Sequence, residues 1–248
     1  MTNLTRAWAL AFTFITFAMP TFADDTNDSL DAVRATIAEK FPRIKPESIG
    51  PGPIDGILEI QQGALVAYLT QDGRYLIQGE LIDLEQNRNL TQESMSKGRL
   101  ELLEGADNAG AIVFGPENAK HTVTVFTDID CTFCRKLHRE MTAYNEAGIA
   151  VRYLFYPRSG PNTRSWEKAE EVWCADNRRK AMTDAKNDKS LPAADCDASA
   201  IAKQFEIGLS VGLGGTPAIV MPNGDLISGY VPAPDLASRL AAATAIQP

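Results

Sequence analysis

The stretch that decides the fold is Thr122-Val123-Thr124-Val125-Phe126-Thr127-Asp128-Ile129-Asp130-Cys131-Thr132-Phe133-Cys134. Thr122 to Thr127 are β-branched or aromatic throughout, which predicts a strand. The strand runs directly into Asp128-Ile129-Asp130-Cys131. From there the period changes. Cys134, Leu137, Met141 and Tyr144 share one helical face, and Gly148 ends the helix. Ile149 to Phe155 is a second strand. Strand, helix and strand in this order make a βαβ unit, which implies parallel pairing.

Cys131 and Cys134 therefore fall where the strand meets the helix. Unpaired backbone N–H groups and the helix dipole at Cys131 favour an anion. They lower a thiol pKa from about 8.5 toward or below neutrality, so that a nucleophilic thiolate exists at working pH. Cys134 lies one turn further in, close enough to bond Cys131 but more buried. Such a pair attacks a disulfide through the first sulfur and releases the mixed disulfide through the second, or through the substrate's own thiol. A structural zinc site using Cys131, Cys134, His121 and His138 would need a second pair of comparably tight spacing, and the chain has none. His121 and His138 read as surface or helix-face residues. An inert disulfide three residues apart closes a tiny loop and offers little loop entropy. Asp130, directly before Cys131, opposes thiolate formation somewhat.

Cys174 and Cys196 are the other two cysteines, bracketing 21 residues of polar sequence. Four cysteines allow three connectivities; if Cys131 pairs with Cys134, these two form the remaining pair. A loop of that size is stabilised by about 3 kcal/mol in the chain-entropy model. That favours a structural bridge over a second redox pair. Asn162 to Phe205 is mostly polar and helical, with Trp166, Val172 and Trp173 as core candidates. Gly212-Leu213-Gly214-Gly215-Thr216-Pro217 lacks a lysine and leads into a strand, so it is no phosphate loop. A cis Thr216–Pro217 bond ahead of the strand from Ala218 is the expectation. Leu226 to Tyr230 follows a turn at Asn223-Gly224, and a helix over Pro234 to Ala243 comes last.

Toward the N-terminus, residues 86–107 read as a partly helical linker, with Thr91 capping a short helix through Leu100 and Leu103. Residues 24–85 read as a small α+β unit. Leu30, Val33, Ile37 and Phe41 mark a helix begun at Asp28 or Ser29 and stopped by Pro42. Ile57 to Ile60, Ala64 to Leu69, Tyr75 to Ile77 and Leu81 to Leu84 mark an antiparallel meander with a hairpin at Asp72-Gly73. So small a unit buries little surface, and an edge strand pairing with a second copy would supply a partner.

The first 23 residues hold one charge, Arg6, then the apolar run Ala7–Met19 and small residues at positions 21 and 23. This predicts a cleaved export signal ending at Ala23, too short to span a bilayer, and an oxidising compartment such as the periplasm. The whole chain is 248 residues, 44% hydrophobic and 23% charged, with net charge −8. That is globular composition, and the acidity argues against nucleic acid as a partner.

Several motifs together resemble the DsbC/DsbG family of periplasmic thiol:disulfide interchange proteins, its DsbC branch most closely. They are Val123 to Ile129 before Cys-x-x-Cys, Lys136-Leu137-His138, Val151-Arg152-Tyr153-Leu154, Trp173-Cys174-Ala175, Gly215-Thr216-Pro217-Ala218 and Ile77-Gln78-Gly79. The resemblance implies an N-terminal dimerisation domain and a thioredoxin-fold catalytic domain over 108–248 with a helical insertion. It implies a V-shaped homodimer that isomerises disulfides of misoxidised or unfolded exported proteins, with chaperone-like binding and no cofactor or metal. A membrane thiol reductant would keep it reduced. In that reading Cys131 is the nucleophile and Cys134 its partner, with Thr132, Phe133, Thr216 and Pro217 supporting them, and Cys174–Cys196 is the structural bridge. A DsbG-like reductase of oxidised single cysteines, a non-catalytic holdase and a copper- or zinc-handling protein are the rivals. Two departures stand out. Thr132-Phe133 replaces the Gly-Tyr or Pro-Tyr of the best-known members. Val125 stands where thioredoxin carries a buried acid, six residues before the first cysteine.

Overall fold

Leu90 to Ala106 forms one unbroken helix, and it joins two sheets. The computed structural model describes residues 25–106 and 110–246. The expected export signal, with its cut after Ala23, lies outside the described residues. Among the described residues no helix is long and apolar enough to cross a membrane.

The N-terminal part opens with α1 (Asp25–Lys40) and a single 3-10 turn at Pro46–Ser48. Strands β1 (Ile49–Pro51), β2 (Ile57–Gln62), β3 (Leu65–Thr70) and β4 (Leu76–Ile77) follow as an antiparallel sheet in chain order. Val33 and Ile37 of α1 pack with Ile49, Leu58, Ile60 and Leu69. Two expectations need correction. The helix starts at Asp25, ahead of Asp28 and Ser29, and Phe41 lies beyond its end and is exposed. Leu81 to Leu84 does not continue the meander. It contributes β5 (Ile82–Asp83), which pairs with β6 (Arg88–Asn89) as a separate two-stranded ribbon.

Helix α2 (Leu90–Ala106) is longer than its expected span. Asn89 takes the capping role expected of Thr91, its side-chain oxygen accepting the Gln92 N–H at 3.0 Å. Thr91 is buried instead and bonds the Tyr68 hydroxyl and the Leu81 N–H. Gly98 lets the helix pass against the β2–β3 turn: a Cβ there would collide with the Gly63 carbonyl.

The C-terminal part is built on β7 (Ile112–Phe114), β8 (His121–Thr127), β9 (Ile149–Phe155), β10 (Ala218–Val220) and β11 (Leu226–Ser228). Their order is β11-β10-β8-β9-β7, and only β8 and β9 run parallel, Val123 opposite Val151 and Phe126 opposite Leu154. Between them lie α3 (Thr132–Arg139) and α4 (Met141–Glu146), two helices with a break at Glu140 where one was expected. The insertion holds α5 (Arg164–Cys174), α6 (Arg178–Lys186) and α7 (Ser199–Val211), and α8 (Ala233–Ile246) closes the chain. The alternation of β8 sorts its residues. Val123 and Val125 join Leu137, Tyr144, Tyr153, Trp166, Val172 and Trp173 on one face. Phe126 joins Leu154, Val211, Val220 and Leu103 of α2 on the other. The architecture is the expected one: an α+β N-terminal part and a thioredoxin-type domain with a helical insertion.

Candidate active site

The end of β8 and the start of α3 place the two reduced thiols. Cys131 is the N-cap of α3, in extended conformation, and Cys134 sits one turn inside. Their residues are 3% and 1% exposed, so the first sulfur is barely reachable and the second is sealed beneath it. Phe133, between them, is 57% exposed and faces solvent beside the pair.

The two sulfurs differ sharply in acidity. A hydrogen bond from the Cys134 thiol, above all, brings Cys131 down to about 5; burial opposes this, and Thr216, the helix-start backbone and the Arg158 charge add to it. Burial and that same bond push Cys134 well up. The Cys131 thiol, when protonated, donates to the Thr216 carbonyl at 3.2 Å. The Thr216–Pro217 peptide is cis and lies against the cysteines at the start of β10. Among the described residues the buried Thr216 hydroxyl has no hydrogen-bond partner.

Asp130 does not act as the sequence suggested. Its carboxylate is bonded to Arg135 at 3.0 Å and to Lys168 at 2.5 Å, so its charge is offset before it reaches the sulfur. Sequence reasoning also passed over Asp128, Arg158 and Ser165. Burial alone would raise the Asp128 carboxyl. The Ser165 hydroxyl and the Arg158 and Asp130 N–H groups outweigh that and hold it below its ordinary range. Asp128 thereby ties the strand–helix turn to α5 and to the Arg158 side chain, at 3.1 Å. No spacing in the sequence marks these residues.

Cys174, at the end of α5, is bonded to Cys196 in the segment before α7. His121 begins β8, and His138 is buried on α3 with Nε2 3.0 Å from the Thr183 hydroxyl. Burial takes His138 down to about 4, so it is a neutral core residue near pH 7. Among the described residues no three His, Cys, Asp or Glu side chains converge as metal ligands.

A family model for the disulfide bond isomerase protein N-terminal domain matches residues 21–92, and one for the thioredoxin-like domain matches residues 111–244. The thiol:disulfide interchange protein DsbC of Escherichia coli is 38% identical over 203 residues, 81% of this chain and 83% of that one. The chain belongs to the DsbC family. The DsbC of Salmonella typhimurium is 36% identical over 201 residues, 80% of this chain and 81% of its own. A solved disulfide interchange protein from Neisseria gonorrhoeae is 34% identical with a TM-score of 0.47, covering 53% of this chain and 94% of that one. Membership makes the protein a thiol:disulfide exchange enzyme, and the Cys131–Cys134 pair at the helix start fits DsbC chemistry.

Proposed function

We propose that the protein is exported to the periplasm and works there as a homodimeric disulfide isomerase of DsbC type. The observation that carries the reading is the placement of Cys131 at the start of α3 against the cis Thr216–Pro217 segment, with Cys134 sealed one turn inside, an arrangement that favours the Cys131 anion. The Cys131 thiolate attacks one sulfur of a wrong disulfide. A Cys131–substrate bond forms, the substrate bond breaks, and its other sulfur leaves as a thiolate. That thiolate attacks a second substrate disulfide and expels another sulfur; the newly freed thiolate then attacks the substrate sulfur held by Cys131, so that a new substrate pairing is left and Cys131 departs as the thiolate. Cys134 is the escape route when no rearrangement follows. Thr132 and Phe133 shape the rim, and Thr216 and Pro217 offer backbone to an extended substrate chain. Cys174–Cys196 is structural.

The dimer is supported by the N-terminal family match and by the edge of the first sheet. Strand β4 ends that sheet, and Tyr75, Leu76, Ile77, Ile82 and Leu84 around it are all exposed and apolar. Such an edge is suited to pairing with its own copy. The preference for isomerisation over sulfenic-acid reduction, chaperone-like binding and a membrane thiol reductant belong to the same proposal. Refolding of a scrambled disulfide protein tests it: Cys131→Ala should abolish isomerisation, and undiminished turnover would end the assignment. A monomer by light scattering at micromolar concentration would refute the dimer.

A further inference from the structure

Lys186, the last residue of α6, is 2% exposed and lies beneath the cysteines. Its Nζ donates to the Thr127 hydroxyl at 2.9 Å and reaches the Asp128 carbonyl at 3.4 Å. Among the described residues it forms no ion pair with a carboxylate. A buried ammonium with only neutral acceptors destabilises a fold, and a methionine of similar length would fill the space without that penalty. The Thr127 hydroxyl accepts from Lys186 at 2.9 Å and also favours the Cys134 anion, so it stands between the two groups.

We propose that Lys186 is a positioning residue for the release step, accepting the Cys134 proton through the Thr127 hydroxyl. The inference rests on the disulfide-exchange reading. In the reduced protein Cys134 gives its hydrogen bond to Cys131. Once Cys131 is bonded to substrate that acceptor is gone, and the buried thiol needs another. The groups facing Lys186 are Asp128 from the turn, Cys131, Cys134, Arg135 and His138 around α3, and Tyr153 of β9, whose ring centre is 5.5 Å away. Burial brings Lys186 down to about 8, while the cysteine site, with the Cys131 thiolate, and the Asp128 carboxylate favour its charged form. Conversion of the Cys131 thiolate into a mixed disulfide removes one of those charges, so the amine becomes a better base when it is needed. Its neutral form takes the proton relayed from Cys134. The Cys134 thiolate then attacks Cys131, the Cys131–Cys134 bond forms and the Cys131–substrate bond breaks. The substrate sulfur leaves with the electron pair and takes a proton from water. Lys186, no longer beside a thiolate, returns its proton to solvent. The cysteine pair is oxidised and the substrate disulfide reduced.

The test uses the reduced full chain without its export signal and the aromatic disulfide dithiobis(nitrobenzoate). The first thionitrobenzoate released reports attack by Cys131, and the second reports release by Cys134. In Lys186→Met the first phase should keep its rate. The second should slow on the order of 100-fold at pH 7, and its pH profile should move upward. The variant should also melt higher. Thr127→Val, which interrupts the path with the amine in place, should slow the second phase likewise, and it decides the matter should Lys186→Met not fold. An unchanged second phase in either variant overturns the proposal. So does a Lys186→Met protein that melts lower and slows both phases together, which would mark a packing residue. Failure of the first phase in the unaltered protein would strike the exchange reading instead.

Discussion

The two cysteine pairs of this protein occupy the same domain and have opposite characters. Cys131 and Cys134 are free thiols three residues apart at a helix start, one held near 5 and the other pushed far above its ordinary range. Cys174 and Cys196, 22 positions apart, are joined across the helical insertion. Loop length separates them in one way, since the longer loop removes more disorder from the unfolded chain. Environment separates them in another: donors and a positive charge converge on Cys131 and favour its anion. The same element staples in one place and reacts in the other because of what surrounds it.

The largest effect that would break this contrast is on turnover. Cys131→Ser should lower disulfide exchange on the order of 1,000-fold or more, read as refolding of a scrambled protein. Cys174→Ala with Cys196→Ala should leave exchange intact below the melting point. That pair of changes should instead cost about 3 kcal/mol, seen as a melting temperature lower by ~6–12 °C. Equal losses of activity from both pairs would erase the distinction.

Acidity gives a middle-sized test. Alkylation of Cys131 should rise with pH about a midpoint near 5, whereas an ordinary cysteine titrates near 8.5. Because the folded thiol is the stronger acid, its ionisation favours the fold. That contribution is complete above about pH 8.5 and is lost as the pH falls through 5. The melting temperature of the reduced protein, measured against Cys131→Ser, should therefore converge on that of the variant as pH drops across this window. The smallest effect concerns Arg158. Its charge is the last of the influences on Cys131, so Arg158→Met should raise the alkylation midpoint by less than about one pH unit.

Much of this site could be read from local sequence. Cys-x-x-Cys after a β-branched run fixes both sulfurs through one turn of chain, and Gly215-Thr216-Pro217 announces the facing segment. The residues that tune the sulfurs were not legible, because their environment comes from packing. Lys186 sits in the polar run Arg178 to Lys186, which looks like a solvated helix until α6 is laid against β8 and α3. Asp128 was visible as a residue, but its bonds to Ser165 and Arg158 join segments about 30 and more positions apart. In the N-terminal part the apolar period ran past the helix end to Phe41, and Leu81 to Leu84 had the composition of a meander strand while the chain turned it toward Arg88. Periodicity reports faces; it does not report partners.

Helix α2 belongs to both halves of the molecule. Leu103 fills the second face of the catalytic sheet, Arg99 is buried against the Gly224 carbonyl, Ser96 bonds Asp225, and Gly98 abuts the β2–β3 turn. A proteolytic cut or truncation between the two family matches therefore does not free a ready-made catalytic module. A fragment that begins after Ala106 would lose the cover that Leu102 and Leu103 add to the side of Phe126 and Leu154, whereas one that begins at Asn89 would carry that cover with it.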